Sequence, residues 1–110
     1  MEIVETRENA VVILGLTGRI DAANAGLLEE NVHRLIDAGE QRLVFDLAGV
    51  DYVSSAGLRV FLVAAKRLRS ADGMLALAAL QDRVREVFEM AGLSSVLRVC
   101  PTRDEAVAAV

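Results

Sequence analysis

The sequence predicts a single α/β domain whose mixed, mostly parallel β-sheet is led by a β-hairpin and covered by about four helices. Its 110 residues suffice for one hydrophobic core but not two, so we assign residues 1–110 to one domain. Hydrophobic residues make up 54% of the chain, as expected of a globular protein. Short apolar runs alternate with segments of helical periodicity, and this order requires crossovers that place parallel strands side by side.

An antiparallel hairpin is predicted at the start of the chain. Residues 3–6 and 11–16 are mostly apolar or β-branched, and the polar segment 7–9 between them is typical of a turn. The second run is apolar on both faces, so we expect this strand to be central in the sheet.

The first helix is predicted downstream of Asp21, because one apolar stripe recurs there at helical spacing while charged residues lie elsewhere. Gly39 is a plausible residue just past its end. The stripe consists of Leu28, Val32, Leu35 and Ile36.

The rest of the chain continues the alternation of strands and helices. Thr102 and Glu105 have the spacing of a capping box, which predicts a short final helix running through residues 106–110. The preceding elements are a buried strand at 43–47, a helix ending near 70–73, a short strand at 74–77, a helix over 84–91 closed by Gly92, and a strand at 96–99.

The junction between the third predicted strand and the second predicted helix is the strongest candidate for a functional site. Residues 51–60 read Asp-Tyr-Val-Ser-Ser-Ala-Gly-Leu-Arg-Val, with two serines and a glycine between an apolar run and a helical pattern. A serine at a helix N-terminus caps a free amide, and the helix dipole there also favours a bound or covalent anion. From these residues alone, capping is the commoner role, and we expect Ser55 to contribute a capping hydrogen bond.

Three aspartates and one arginine are the charged candidates near these serines. Asp21, Asp46 and Asp51 each follow or end a strand-like segment on the side where the next helix begins. Their alternative role is structural: Asp21 suits an N-cap or Asx-turn, and Asp46 suits loop backbone donors. Arg59 lies in the first helical turn, where positive charge opposes the dipole and a phosphate on Ser55 or an acidic partner would compensate it.

The candidate residues lack the companions that catalysis or metal binding requires. A serine nucleophile needs a base within hydrogen-bond reach, and the only histidine, His33, falls in the middle of a predicted helix. Neither a Gly-x-Ser-x-Gly sequence nor a Walker lysine motif is present. The single Cys100 has no Cys or His companions and fits a reducing compartment. We therefore predict a protein that is not an enzyme and has no metal or cofactor.

Charge and hydropathy limit the partners and the location. The net charge is −4, and no basic run with interleaved aromatic residues is present, so direct nucleic-acid binding is not expected. The first residues show no basic segment followed by an apolar stretch, and no apolar run approaches membrane-spanning length. We expect a cytoplasmic protein without membrane insertion.

The order of elements, together with residues 52–60, resembles the STAS domain family and within it the bacterial anti-sigma factor antagonists. The resemblance covers nearly the whole chain. Members of that group carry an Asp-Ser-Ser/Thr-Gly-Leu-Gly motif whose serine two places before the glycine is phosphorylated by a partner kinase. That serine corresponds to Ser55, with Ser54 as the second choice. The chain departs from the motif at three places: Ser54 replaces the aspartate, Ala56 replaces the second hydroxyl residue and Arg59 replaces the last glycine.

The resemblance implies a binding module that takes an ATP-binding serine-kinase anti-sigma factor as its partner and so frees the sigma factor. Phosphorylation at Ser55 would switch binding off, and a serine phosphatase would restore it. Asp21 is implicated because an aspartate follows a Gly-x-hydrophobic step in that group. The implied partner-binding residues are Asp21, Ser54, Ser55, Ala56, Gly57, Leu58 and Arg59. The alternative is an unphosphorylated STAS subunit with a structural role, for instance in a lipid-transport ABC complex, which the loss of the motif aspartate at Ser54 favours.

Overall fold

The computed structural model describes all residues from Met1 to Val110 and contains five strands and four α-helices. The strands are β1 (Glu2–Glu8), β2 (Val11–Ile20), β3 (Arg42–Val53), β4 (Met74–Ala78) and β5 (Arg98–Cys100). The helices are α1 (Ala25–Asp37), α2 (Ser55–Ser70), α3 (Asp82–Met90) and α4 (Arg103–Ala109), with one 3₁₀ turn at Leu93–Ser95. The predicted single α/β domain with a leading hairpin and about four helices is confirmed.

The five strands form one mixed sheet in the order β1-β2-β3-β4-β5. Only the β1–β2 pair is antiparallel, and β2 is an inner strand, as its two-sided apolar sequence predicts. β4 pairs with β3 only as far as Asp46 opposite Ala78. Residues 47–53 of β3 therefore have no strand beside them on the β4 side.

The sheet is covered unequally on its two faces. The larger core cluster joins β2, β3 and β4 to α1, α2 and α3, and its aromatic centre is Phe45, Phe61 and Phe88. The rings of Phe45 and Phe61 meet edge to face with centroids 5.1 Å apart. A smaller cluster on the opposite face contains Ile13, Val44 and Ala106 of α4. Three helices thus pack on one face and one helix on the other.

Several strand ends differ from the sequence-based boundaries: β1 is longer at both ends than residues 3–6, and β2 extends to Ile20, four residues beyond its predicted end. β3 continues to Val53, six residues beyond the predicted end, because β2 runs beside it to Ile20 through two register shifts. The shifts interrupt the hydrophobic alternation that marks a strand. β5 begins at Arg98 rather than at residue 96, because the amides of Val96 and Leu97 donate to the Leu93 carbonyl in the preceding turn.

The helix ends follow the sequence signals. Gly39 and Gly92 adopt positive φ angles of 93° and 73° just past α1 and α3, where glycine avoids the Cβ penalty. The hydroxyl of Thr102 accepts a hydrogen bond from the Glu105 amide at 3.1 Å, so the predicted cap of α4 is confirmed. No helix combines the length and apolar character needed to cross a membrane.

Candidate functional site

The N-terminus of α2 is fixed to the carboxyl ends of β2 and β3. Ile20 and Val53 are register partners at the last step of the β2–β3 ladder. The Ser54 amide donates to the Ile20 carbonyl at 2.9 Å, and the Leu58 amide donates to the Ser54 carbonyl at 2.9 Å. α2 therefore starts directly at the sheet edge, without a flexible connection.

Ser54, not Ser55, caps α2. The backbone of Ser54 is extended, with φ −84° and ψ 174°, and its hydroxyl accepts from the Gly57 amide at 3.4 Å. This is the geometry of an N-cap, whereas Ser55 is the first helical residue. The expectation that Ser55 contributes the capping hydrogen bond is wrong, because the strand ends one residue earlier than such a cap would need.

Ser55 is exposed, and its hydroxyl makes no hydrogen bond within the protein. The backbone amides of Ser55 and Ala56 likewise have no protein acceptor, as expected in a first helical turn. A negative group attached to the Ser55 hydroxyl would lie beside these amides and at the positive end of the helix dipole. The start of α2 thus offers free amide donors and a favourable dipole beside the Ser55 hydroxyl.

Gly57 lets the first turn of α2 lie close against the two strands. A Cβ at this position would approach Ile20 Cγ2 at 2.8 Å and Val53 Cγ1 at 2.9 Å, both shorter than side-chain contacts allow. Gly57 is buried, and Leu58 beside it is half-buried against the larger core cluster. The missing Cβ of Gly57 therefore permits close packing of α2 on β2 and β3.

Asp21 lies at the same sheet edge, one residue beyond Ile20. Its carboxylate Oδ1 accepts from the Ala23 amide at 3.0 Å, which is the predicted Asx-turn. Asn24 precedes α1 and holds the turn through its side chain, accepting from the Asp21 amide at 3.0 Å and donating to the Arg19 carbonyl at 2.8 Å. Because Ile20 also holds Ser54, the structure brings Asp21 and the serine pair to adjoining positions.

The other two aspartates are placed differently from each other. The prediction that Asp46 lies near the serines is wrong. Asp46 lies within β3, roughly 20 Å before the end of the strand at the usual rise per residue. Its Oδ2 accepts from Arg103 Nε at 2.8 Å and its Oδ1 from the Ala48 amide at 2.9 Å, so its role is structural. Asp51 lies near the end of β3, is exposed and makes no ion pair.

Arg59 projects from α2 beside a groove between the first turns of α1 and α2. It is exposed and pairs with no carboxylate. The groove has a volume of about 220 Å³ and is lined by Ala25, Gly26 and Glu29 of α1 and by Ala56, Arg59 and Val60 of α2. Ala56, Arg59 and the serine pair therefore share one end of the molecule.

Other titratable groups do not form a reactive cluster with the serines. His33 Nδ1 lies 2.7 Å from Arg67 Nη1, and Arg67 Nη2 donates to Asp37 at 2.8 Å, which ties the later turns of α1 to α2. No group of three or more His, Cys, Asp and Glu side chains could hold a metal ion. Cys100 is buried in the smaller core cluster.

Sequence reasoning did not single out Arg19, which the structure places at the edge of the site. Its guanidinium carbon lies 4.3 Å from the ring centroid of Tyr52, its register partner on β3. Its Nε is also 3.8 Å from Asp21 Oδ2. The register shift at Gly18 and Arg19 creates this pairing, and a sequence offers no direct signal for such a shift.

Comparison with known proteins identifies relatives over nearly the whole chain. The family model of the STAS domain matches residues 2–106. BtrV of Bordetella bronchiseptica, a candidate anti-sigma factor antagonist, is 43% identical over 109 residues that make up 99% of this chain and 94% of the relative. The anti-sigma-B factor antagonist of Bacillus subtilis is 30% identical over 96 residues, covering 87% of this chain and 86% of the relative.

Solved structures of this group share the fold. An anti-sigma factor antagonist from Mycobacterium paratuberculosis superposes with a TM-score of 0.90 at 25% identity, covering 99% of this chain and 92% of the other. The phosphorylated form of the Bacillus cell fate determinant SpoIIAA superposes with a TM-score of 0.77 at 18% identity, covering 98% of both chains. With a matching family model and curated relatives that are anti-sigma factor antagonists, this chain belongs to the STAS domain family.

Proposed function

We propose that this chain is an anti-sigma factor antagonist that binds an ATP-binding serine-kinase anti-sigma factor through the surface around Ser55 and so releases the sigma factor. The observation that carries the proposal is the free, exposed hydroxyl of Ser55, which occupies the motif position at a rigidly held helix N-terminus. The curated relatives named as anti-sigma factor antagonists support this choice of partner class. The proposed partner-binding residues are those at the start of α2 together with Asp21.

Phosphorylation of Ser55 is the proposed off switch. A phosphoserine carries nearly two negative charges at neutral pH. At the first residue of α2 it gains from the dipole and from the free amides of Ser55 and Ala56, so the fold tolerates it. The partner would instead meet a charge that is costly to bury without a matching cation. The phosphorylated form of SpoIIAA, which shares the fold, is consistent with such a modification.

The capping role of Ser54 supports Ser55 as the modified residue. The motif aspartate of the resembling group corresponds to Ser54, and this position is the N-cap of α2. Serine and aspartate are about equally good N-caps, so this substitution keeps the start of the helix intact. The replacement of the motif aspartate by Ser54 therefore no longer favours the alternative of a structural STAS subunit in a transport complex.

The partner supplies the chemistry in this proposal. The chain provides the acceptor hydroxyl, the anti-sigma factor provides ATP and phosphoryl transfer, and a serine phosphatase resets the switch. Ser55 has no hydrogen-bonded base, and His33 is engaged by Arg67, so we propose no enzymatic activity for the chain itself. We place the protein in the cytoplasm, where sigma factors act.

Two forms of the protein test the proposal. Unmodified protein and protein with phosphoserine genetically encoded at position 55 are titrated by calorimetry against each ATP-binding anti-sigma factor of the source organism. We expect at least one to bind the unmodified form and to bind the phosphorylated form at least about 100-fold more weakly, the equivalent of roughly 3 kcal/mol. Absence of binding by the unmodified form, or equal binding by both forms, would contradict the proposal.

A further inference from the structure

A surface formed by Arg19 and Tyr52 continues the site on its β3 side. The two residues face each other across the β2–β3 ladder, one register step before Ile20 and Val53. The guanidinium of Arg19 lies over the Tyr52 ring at 4.3 Å from its centroid and reaches to within 3.8 Å of Asp21. A chain of contacts thus leads from the proposed partner-binding residue Asp21 to Tyr52.

A cleft opens beside this stack, between the end of β3 and α3. Its volume is about 360 Å³, the space of a few side chains. The cleft lies along the part of β3 that has no neighbouring strand on the β4 side. Its apolar lining is Tyr52, Val53, Val84 and Val87, and its charged lining is Arg19, Asp51, Arg83 and Glu86.

The composition of this surface is that of an interface rather than of an ordinary solvated face. Tyr52 is the only tyrosine of the chain and is 41% exposed although it is large. Tyrosine and arginine are enriched among the residues whose loss most weakens protein interfaces. Stacking holds both side chains in place before binding, which lowers the entropic cost of ordering them on a partner.

The charged residues around the cleft remain free to meet a partner. Asp51, Arg83 and Glu86 form no ion pair within the protein. Both signs of charge are therefore present at the rim of an apolar floor. Such a surface suits a segment that presents an apolar side chain flanked by charges of both signs.

The size of a stable interface makes this surface a natural extension of the Ser55 site. A stable protein interface covers about 800 Å² and 20 to 30 residues on each partner. The seven proposed contact residues are far fewer, and Gly57 among them is buried. A partner seated over Ser55 must therefore spread onto neighbouring surface, and the Arg19–Tyr52 stack adjoins it through Asp21.

We infer that the Arg19–Tyr52 stack and its cleft are a second contact region for the anti-sigma factor, which inserts an apolar side chain against Tyr52. This inference rests on the proposed function and adds the residues that determine affinity beyond the serine motif. Contact at the stack is independent of the charge on Ser55, so it strengthens binding without taking part in the switch.

Calorimetry with the anti-sigma factor that binds the wild-type chain tests the inference. We expect Tyr52→Ala and Arg19→Ala each to weaken binding about tenfold or more, whereas Tyr52→Phe, which keeps the ring, stays within about threefold of wild type. The double variant Arg19→Ala/Tyr52→Ala should lose less than the product of the two single losses, because the residues act as one stack. Circular dichroism and thermal unfolding of each variant establish that it is folded.

Met90→Ala is the matched control, because Met90 is a large residue of the same helix α3 that is 89% exposed and does not line the cleft. It should bind as the wild type does. Wild-type affinity in folded Tyr52→Ala would overturn the inference while leaving the proposed function standing. A changed oligomeric state of Tyr52→Ala in size-exclusion chromatography, with unchanged binding, would assign the stack to a contact between copies and also overturn it. If no anti-sigma factor bound the wild type, the proposed function would fail and this inference with it.

Discussion

Replacement of Gly57 by valine should loosen the start of α2 and destabilise the whole domain. The new Cβ would lie 2.8 Å from Ile20 Cγ2, 2.9 Å from Val53 Cγ1 and 3.3 Å from the Ile20 carbonyl oxygen. Ordinary contacts begin near 3.5 Å, so the first turn must retreat by roughly half an ångström or more. That movement strains the hydrogen bond from the Ser54 amide to Ile20, which is 2.9 Å long.

The expected cost of Gly57→Val follows from overpacking of a well-packed site, which is typically about 1–3 kcal/mol and sometimes more. The gain from replacing glycine inside a helix is smaller, below about 1 kcal/mol for a β-branched residue. We therefore expect a net loss of about 2 kcal/mol in the free energy of unfolding. Urea denaturation followed by circular dichroism measures this loss as a lower midpoint with an unchanged slope.

Gly26→Ala is the matched control for this substitution. Gly26 also lies in the first turn of a helix, but a Cβ there would meet no atom within 4 Å. This variant should be as stable as the wild type or more stable by up to about 1 kcal/mol. If Gly57→Val unfolded at the same urea concentration as the wild type, the close packing of α2 on β2 and β3 would not be as described.

Four further predictions test other parts of the structure. Ser54→Ala should lose about 1 kcal/mol of unfolding free energy in urea denaturation, because it removes the N-cap hydrogen bond of α2. Ser55→Ala should lose less than half of that. A larger loss for Ser55→Ala than for Ser54→Ala would show that Ser55 is the N-cap. Ser55→Asp should remain folded by circular dichroism yet bind the anti-sigma factor far more weakly than Ser55→Ala does. Equal affinities of the two variants in calorimetry would contradict the proposed phosphorylation switch. Ala79 has a φ of 59°, so Ala79→Gly should raise the free energy of unfolding by up to about 1 kcal/mol, seen as a higher urea midpoint; a clear fall in the midpoint would show that the methyl group matters more than the backbone. Arg7 lowers the pKa of Glu40 by hydrogen bonding first and by charge second, so NMR titration should give Glu40 a midpoint below that of an ordinary glutamate, and Arg7→Ala should raise it. Because the pKa is lowered on folding, this pair stabilises the domain above the ordinary glutamate pKa and stops doing so as the pH falls through the lowered value.

The order of elements was predictable because helices and strands here have clean periodicity. The helix that begins at the serines, the hairpin and the glycine-terminated helices are all local patterns, and the structure contains them. The resemblance to the STAS domain family, carried by residues 52–60, is confirmed by the family model.

Features that depend on how strands align could not be predicted in the same way. The register shifts in the β2–β3 ladder extend β3 to Val53 and bring Arg19 over Tyr52, but they arise from tertiary pairing and leave no fixed motif. Asp46 has the sequence context of a strand end, yet it lies mid-strand and pairs with Arg103, which is 57 residues away. Whether Ser54 or Ser55 caps α2 depends on where β3 ends, and a shift of one residue changes the answer. Local sequence signals are weakest at such boundaries.

The Arg67 side chain holds α1 and α2 together at one end only. It contacts His33 and Asp37 in the later part of α1, whereas a groove separates the two helices at their first turns. Glu29 and Arg59 lie on opposite walls of this groove. The sheet also holds the first turn of α2 in place, through the Ser54 amide and the close packing at Gly57. The two helix starts therefore frame a preformed recess with charges of opposite sign on its walls, directly beside the serine turn.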